Sequence, residues 1–137
     1  MHKYIHNVKY YETDRMGITH HSNYVRWMEE ARMDLFSKLG WGYEKLEGEG
    51  IISPVISIEC KYMQTTTFPD EVEIRVTVEK FNGVRMEARY DMYRLSDGER
   101  VNSAQSSHCF VDADGKIVNM KKSLFIVALA LGTLAFS

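Results

Sequence analysis

The sequence predicts an α+β fold, with one long amphipathic helix laid over a single antiparallel sheet of about five strands. Between Tyr24 and Leu39 the apolar residues Tyr24, Trp27, Met28, Ala31, Leu35 and Leu39 recur every three or four positions, which places them on one helical stripe. From Glu71 to Met92 the pattern changes to alternation, the mark of strands with one buried and one wet face. One strand-like stretch precedes the helix and four follow it. A sheet that is apolar on one face cannot leave its valines and isoleucines in water, so the helix must cover that face.

The chain opens with a strand expected over His2–Tyr11, with Tyr4, His6, Val8 and Tyr10 on one face. A polar turn follows, carrying Asp14, Gly17, His20, His21 and Asn23. Ser22 and Asn23 suit the helix N-cap, and Gly40 with Gly42 suits its stop. Arg26, Glu29, Glu30, Arg32 and Lys38 are expected mostly on the wet side. Gly40–Gly50 reads as a connection too polar for the core. Ile51–Met63 reads extended, with Pro54 marking an edge or bend at its start.

After a loop at Thr65–Pro69, Val72, Ile74, Val76 and Val78 alternate with charged or polar neighbours. Asn82-Gly83 supplies residues that tolerate positive φ in a tight hairpin. Met86, Ala88, Tyr90 and Met92 then line the buried face of the return strand. Ser96-Asp97-Gly98 turns the chain into a strand over Arg100–Val111, and Asp112–Gly115 turns it again into Lys116–Asn119.

A chain of 137 residues is one domain with room for a real core. With 45% apolar and 26% charged residues and a net charge of −2, it has the make-up of a soluble globular protein. That charge offers nothing to nucleic acid or an anionic membrane surface. Cys60 and Cys109 make no disulfide scaffold and read as small buried hydrophobes. The first residues lack the apolar core of a secretory leader, so a reducing cytoplasm is expected. The domain is expected over residues 1–122, followed by an apolar tail at 123–137 that reads as a helix packed on the sheet or a neighbouring subunit. Its apolar run, Leu124–Phe136, is well short of the roughly 20 residues that span a bilayer.

The chemistry centres on the polar turn. A helix N-terminus offers backbone N–H groups without intrahelical partners, at the positive end of the helix dipole. They can hold a developing oxyanion while a nearby carboxylate acts as base or nucleophile. The run Tyr11-Glu-Thr-Asp14-x-x-Gly17-Ile-x-x-His21-x-Asn23-Tyr24, followed by Trp27 and Glu30-Ala31-Arg32, resembles the signature of hotdog-fold acyl-CoA thioesterases. The resemblance is to the 4-hydroxybenzoyl-CoA thioesterase family, including its YbgC-like branch. It runs from about Lys3 to Lys122, and the apolar tail departs from it.

The resemblance implies a long helix wrapped by a curved antiparallel sheet. It also implies a homodimer that often becomes a homotetramer, with sites at the dimer interface. It assigns the catalytic carboxylate to Asp14 and the oxyanion-binding backbone N–H to His21, with Gly17 letting the chain turn beside the ligand. Coenzyme A is then part of the substrate, and no separate cofactor is implied. Asn23 and Tyr24 are weaker candidates for substrate contact; a helix cap and a core ring are their plainer roles. The adjacent His20 and His21 lack the spacing of a metal motif, so no metal is expected. His2, His6 and His108 read as surface or packing residues, and Glu30 as a stabiliser of the interface. Lys61, Arg85 and Arg89 could meet nucleotide phosphates or simply be solvated.

Three other readings compete. A hydrolase of acyl-carrier-protein thioesters shares all these features. A hotdog dehydratase would use a histidine-led motif, whereas here Asp14 leads. A non-catalytic acyl-thioester binder could keep the fold.

Overall fold

The computed structural model describes residues 1–120. The expected apolar helix at 123–137 lies outside the described residues. Strand β1 (His2–Asn7) leads through a short 3₁₀ turn (Tyr10–Glu12) and the polar turn into helix α1 (Ser22–Lys38). A short helix α2 (Tyr43–Gly48) follows, then β2 (Val55–Tyr62), β3 (Glu71–Phe81), β4 (Arg85–Arg94) and β5 (Arg100–Cys109). The sheet runs β1-β3-β4-β5-β2, antiparallel throughout. The expected α+β architecture of one long helix and five strands is therefore the observed one.

Helix α1 buries Tyr24, Trp27, Met28, Ala31, Leu35 and Phe36, and Leu39 just beyond it is buried too. Opposite lie Val72, Ile74, Val76 and Val78 of β3 and Met86, Ala88, Tyr90 and Met92 of β4, all buried. Each large side chain taken out of water here contributes about 1.5–3 kcal/mol. The helix stops as Gly40 predicts. Gly40 takes φ 81°, its N–H donates to Ser37 O at 3.0 Å, and Trp41 N–H donates to Phe36 O at 2.8 Å. These two bonds occupy carbonyls that the last turn would otherwise leave open.

Several expectations change. The first strand ends at Asn7 rather than Tyr11, because the chain coils at Tyr10–Glu12 and turns Tyr10 outward, 77% exposed. Gly40–Gly50 is not all solvent-side: it contains α2, whose Leu46 joins the core. Arg32 is buried, not on the wet face. Cys60 and Cys109 are only partly buried. The last strand stops at Cys109, and Val111 continues only as isolated bridges to Ile52 and Ile117. Pro54 does precede an edge strand, β2, whose Val55, Ile56, Ile58 and Tyr62 are exposed.

Candidate active site

The turn between Glu12 and His21 folds back on itself. His20 N–H donates to Glu12 O at 2.8 Å, Thr13 pairs with Thr19, and Asp14 N–H donates to Ile18 O at 2.8 Å. At its tip Gly17 N–H donates to Asp14 O at 3.0 Å. Gly17 takes φ +77°, and a Cβ added there would meet nothing within 4 Å. Its contribution is therefore the left-handed backbone conformation, not space. Thr67 Oγ1 donates to Gly17 O at 2.6 Å and Thr19 N–H to Thr66 O at 2.8 Å, fastening the turn to the segment before β3.

Asp14 is half-buried, and its Oδ1 accepts the Met16 N–H at 2.8 Å. Among the described residues the hydrogen bonds of this carboxylate engage Oδ1 alone. Seven residues on, the chain enters α1. His21, not Ser22 or Asn23, is the residue at the cap, already at φ −56° and ψ −29°, and no side chain caps the helix from that position. His20 takes over part of that duty: its Nδ1 lies 2.8 Å from Ser22 Oγ and accepts the Ser22 N–H at 3.3 Å. The His21 carbonyl accepts from Tyr62 Oη at 3.2 Å, while its own N–H donates to no described residue. An open N–H at a helix start is a ready anion contact.

Asn23 Nδ2 donates to Glu12 O at 2.9 Å and His20 O at 3.2 Å, so its amide ties the helix start to the turn. Tyr24 is 3% exposed, with its hydroxyl 2.9 Å from Thr66 Oγ1. Asn23 thus holds backbone in place, while Tyr24 meets the side chain of Thr66. Lys61 and Arg89 share a shallow concavity on the solvent face of the sheet, where Arg89 pairs with Glu79 and Asp91.

Behind the turn lies a network that the sequence did not announce. Glu12 is 6% exposed. Its Oε1 meets His6 Nε2 at 2.9 Å and accepts Lys9 N–H at 2.8 Å, and its Oε2 accepts Trp27 Nε1–H at 2.7 Å. His6 Nδ1 lies 3.1 Å from Glu30 Oε2, and the His6 and Trp27 rings approach to 4.5 Å between centroids. Burial alone would raise the Glu12 carboxyl, but the bonds from Trp27, His6 and Lys9 outweigh it and hold the group below its ordinary value. Glu12 thus joins β1, the turn and α1. Its place inside the Tyr11–Asp14 run was the available signal: Lys9 and His6 lie three and six residues away but show no periodic pattern with it, and Trp27 lies fifteen residues on.

A long helix against a five-stranded antiparallel sheet, with a carboxylate-bearing turn at the helix start, defines the protein as a hotdog-fold domain. The chain belongs to the thioesterase-like superfamily, which it matches over residues 8–126. It is 35% identical over 117 residues to YneP of Bacillus subtilis, a protein provisionally named an acyl-CoA thioesterase, covering 85% of this chain and 84% of that one. It is 23% identical over 115 residues to the 4-hydroxybenzoyl-CoA thioesterase of a Pseudomonas species, covering 80% and 82%. The crystal structure of a DHNA-CoA thioesterase from Staphylococcus aureus superposes with a TM-score of 0.85 at 30% identity, covering 96% of this chain and 88% of that one.

Proposed function

We propose that this protein hydrolyses acyl-CoA thioesters to the free carboxylic acid and coenzyme A. The observation that supports this reading is the folded-back turn ahead of α1, in which Asp14 N–H donates to Ile18 O while the carboxylate accepts Met16 N–H through Oδ1 and keeps its other oxygen unengaged among the described residues. Asp14 supplies the base for water or attacks the thioester carbonyl carbon itself. The open N–H of His21 takes the negative charge that grows on the carbonyl oxygen. Gly17 allows the turn that carries Asp14, Asn23 serves the substrate through the backbone it fixes, and Tyr24 through its contact with Thr66. The thiolate leaves without obligatory protonation, which suits a site built on one carboxylate. The relatives' names, which cite CoA thioesters, support CoA as the carrier.

The unit of function we infer is a homodimer that pairs into a homotetramer in the cytoplasm. Exposed apolar residues along the β2 edge support this, because an unpaired apolar edge invites a second strand. Among the described residues no helix is long and apolar enough to cross a membrane.

The test is steady-state hydrolysis of short, long and aromatic acyl-CoAs, and of the matching carrier-protein thioesters, by wild type and Asp14→Asn. The substitution keeps the shape and removes the charge, and a loss of about 100-fold, or about 2.7 kcal/mol of barrier, is expected. Equal activity of the two proteins removes Asp14 from the mechanism. Faster turnover of the carrier-protein thioester moves the assignment to that substrate, and binding without turnover makes the protein a binder.

A further inference from the structure

We propose that the cavity between α1 and α2 binds a small carboxylic acid with an apolar body, and that Arg32 holds its carboxylate. The cavity has a volume of about 520 Å³, within the range of small-molecule sites. Its wall includes the apolar Met33 and Phe36 of α1, Leu46 of α2 and Ile51, together with the polar Arg32 and Ser53.

Arg32 is 7% exposed, and its guanidinium has no carboxylate within 4.0 Å among the described residues. Glu29 and Glu47 also line the cavity, but both are exposed and neither pairs with it. The protein offers Arg32 one neutral contact: Nη1 donates to Tyr90 Oη at 3.1 Å. Tyr90 Oη is 2.7 Å from Ser106 Oγ, which is 2.7 Å from His108 Nε2. That chain runs through hydroxyls to an imidazole that burial and the charge of Arg32 keep neutral. No negative charge waits at its end.

A guanidinium has five N–H donors in a fork that matches a carboxylate, and a charge this deep in a protein is ordinarily paired. Ser53 Oγ, also buried, has no partner among the described residues. A single carboxylate in the cavity would satisfy Arg32 and reach for Ser53, while its carbon body meets Met33, Phe36, Leu46 and Ile51. A phosphate would need more cationic donors than this wall supplies. The site is distinct from the thioester site: Arg32 lies eleven residues beyond His21, roughly 16 Å along the helix axis.

Isothermal titration of the full-length protein with benzoate and hexanoate, set against benzamide and hexanamide, tests this. At least one acid should bind saturably, and at least about tenfold more tightly than its amide. Arg32→Met should weaken that acid by about tenfold or more, and Asp14→Asn should leave it unchanged. The proposal falls if neither acid binds at about 10 mM, if acid and amide bind alike, or if Asp14→Asn abolishes binding. Should Arg32→Met fail to fold, Ala113→Trp decides: Ala113 is exposed and lines the cavity, so the indole should block entry. Acid binding at wild-type strength in that variant overturns the proposal.

Discussion

Replacing Glu12 by Gln keeps the shape of the side chain but turns one acceptor oxygen into an NH₂ donor. Every partner of the Glu12 carboxylate donates: Lys9 N–H, Trp27 Nε1–H and, when its Nε2 is protonated, His6. Whichever oxygen is replaced, a buried donor faces another donor. The loss of a charge-assisted bond costs about 1.5–3 kcal/mol, and the stranded donor adds about 1–3 kcal/mol. Removing a buried charge returns part of that sum, because its desolvation penalty disappears. A net destabilisation of about 3 kcal/mol is expected, a fall in Tm of about 10 °C for a domain of this size. Calorimetry at matched protein concentration measures it, the concentration being fixed because an oligomer's Tm depends on it. Glu30→Gln is the control: Glu30 meets the same histidine with its side chain 48% exposed, and should cost under about 1 kcal/mol. A Glu12→Gln protein melting within about 2 °C of wild type would refute the argument that this carboxylate secures the turn.

Two further outcomes follow from the same geometry. Burial, with the charge of Arg32 added, pushes His108 down to about 4 from an ordinary 6.5. Between those values the unfolded chain binds a proton that the folded one refuses, so stability should fall as pH drops from 6.5, by on the order of 2–3 kcal/mol. Glu12, held below its ordinary value, adds a loss at still lower pH. Urea midpoints at pH 7 and pH 5 that coincide would contradict this. Ile58 stands 38% exposed on edge strand β2, and Ile58→Lys should shift the protein towards monomer in analytical ultracentrifugation. An unchanged oligomer would clear that edge of any role in assembly.

The parts of the fold visible in the sequence were those set by neighbours along the chain. The stripe from Tyr24 to Leu39 and the alternation from Val72 to Met92 are local periods, and each matches its observed element. The Asn82-Gly83 hairpin is local too: Asn82 Oδ1 accepts the N–H groups of Val84 and Arg85 at 2.9 and 2.8 Å. Gly17 and Gly40 both adopt the positive φ that their positions implied. The cap was misplaced because Ser22 and Asn23 are chemically suited to it, yet the pairing of His20 with Glu12 starts the helix one residue earlier.

What the sequence by itself determined is the class of fold, its helix and hairpins, and the turn that carries Asp14, Gly17 and His21, because periodicity and turn chemistry act over a few residues. Tertiary structure decided which polar groups are inside. On a helical wheel Arg32 stands at the edge of the apolar stripe, four residues after Met28 and three before Leu35, where periodicity does not decide its exposure; the packing of α2 and the segment at Ile51 over that part of α1 leaves it lining a cavity. Glu12 looks like any turn glutamate until residues 6, 9, 27 and 30 converge on it and on His6. Burial of a charge is a property of the assembled layers, since its cost and its partners exist only once distant segments have excluded the water.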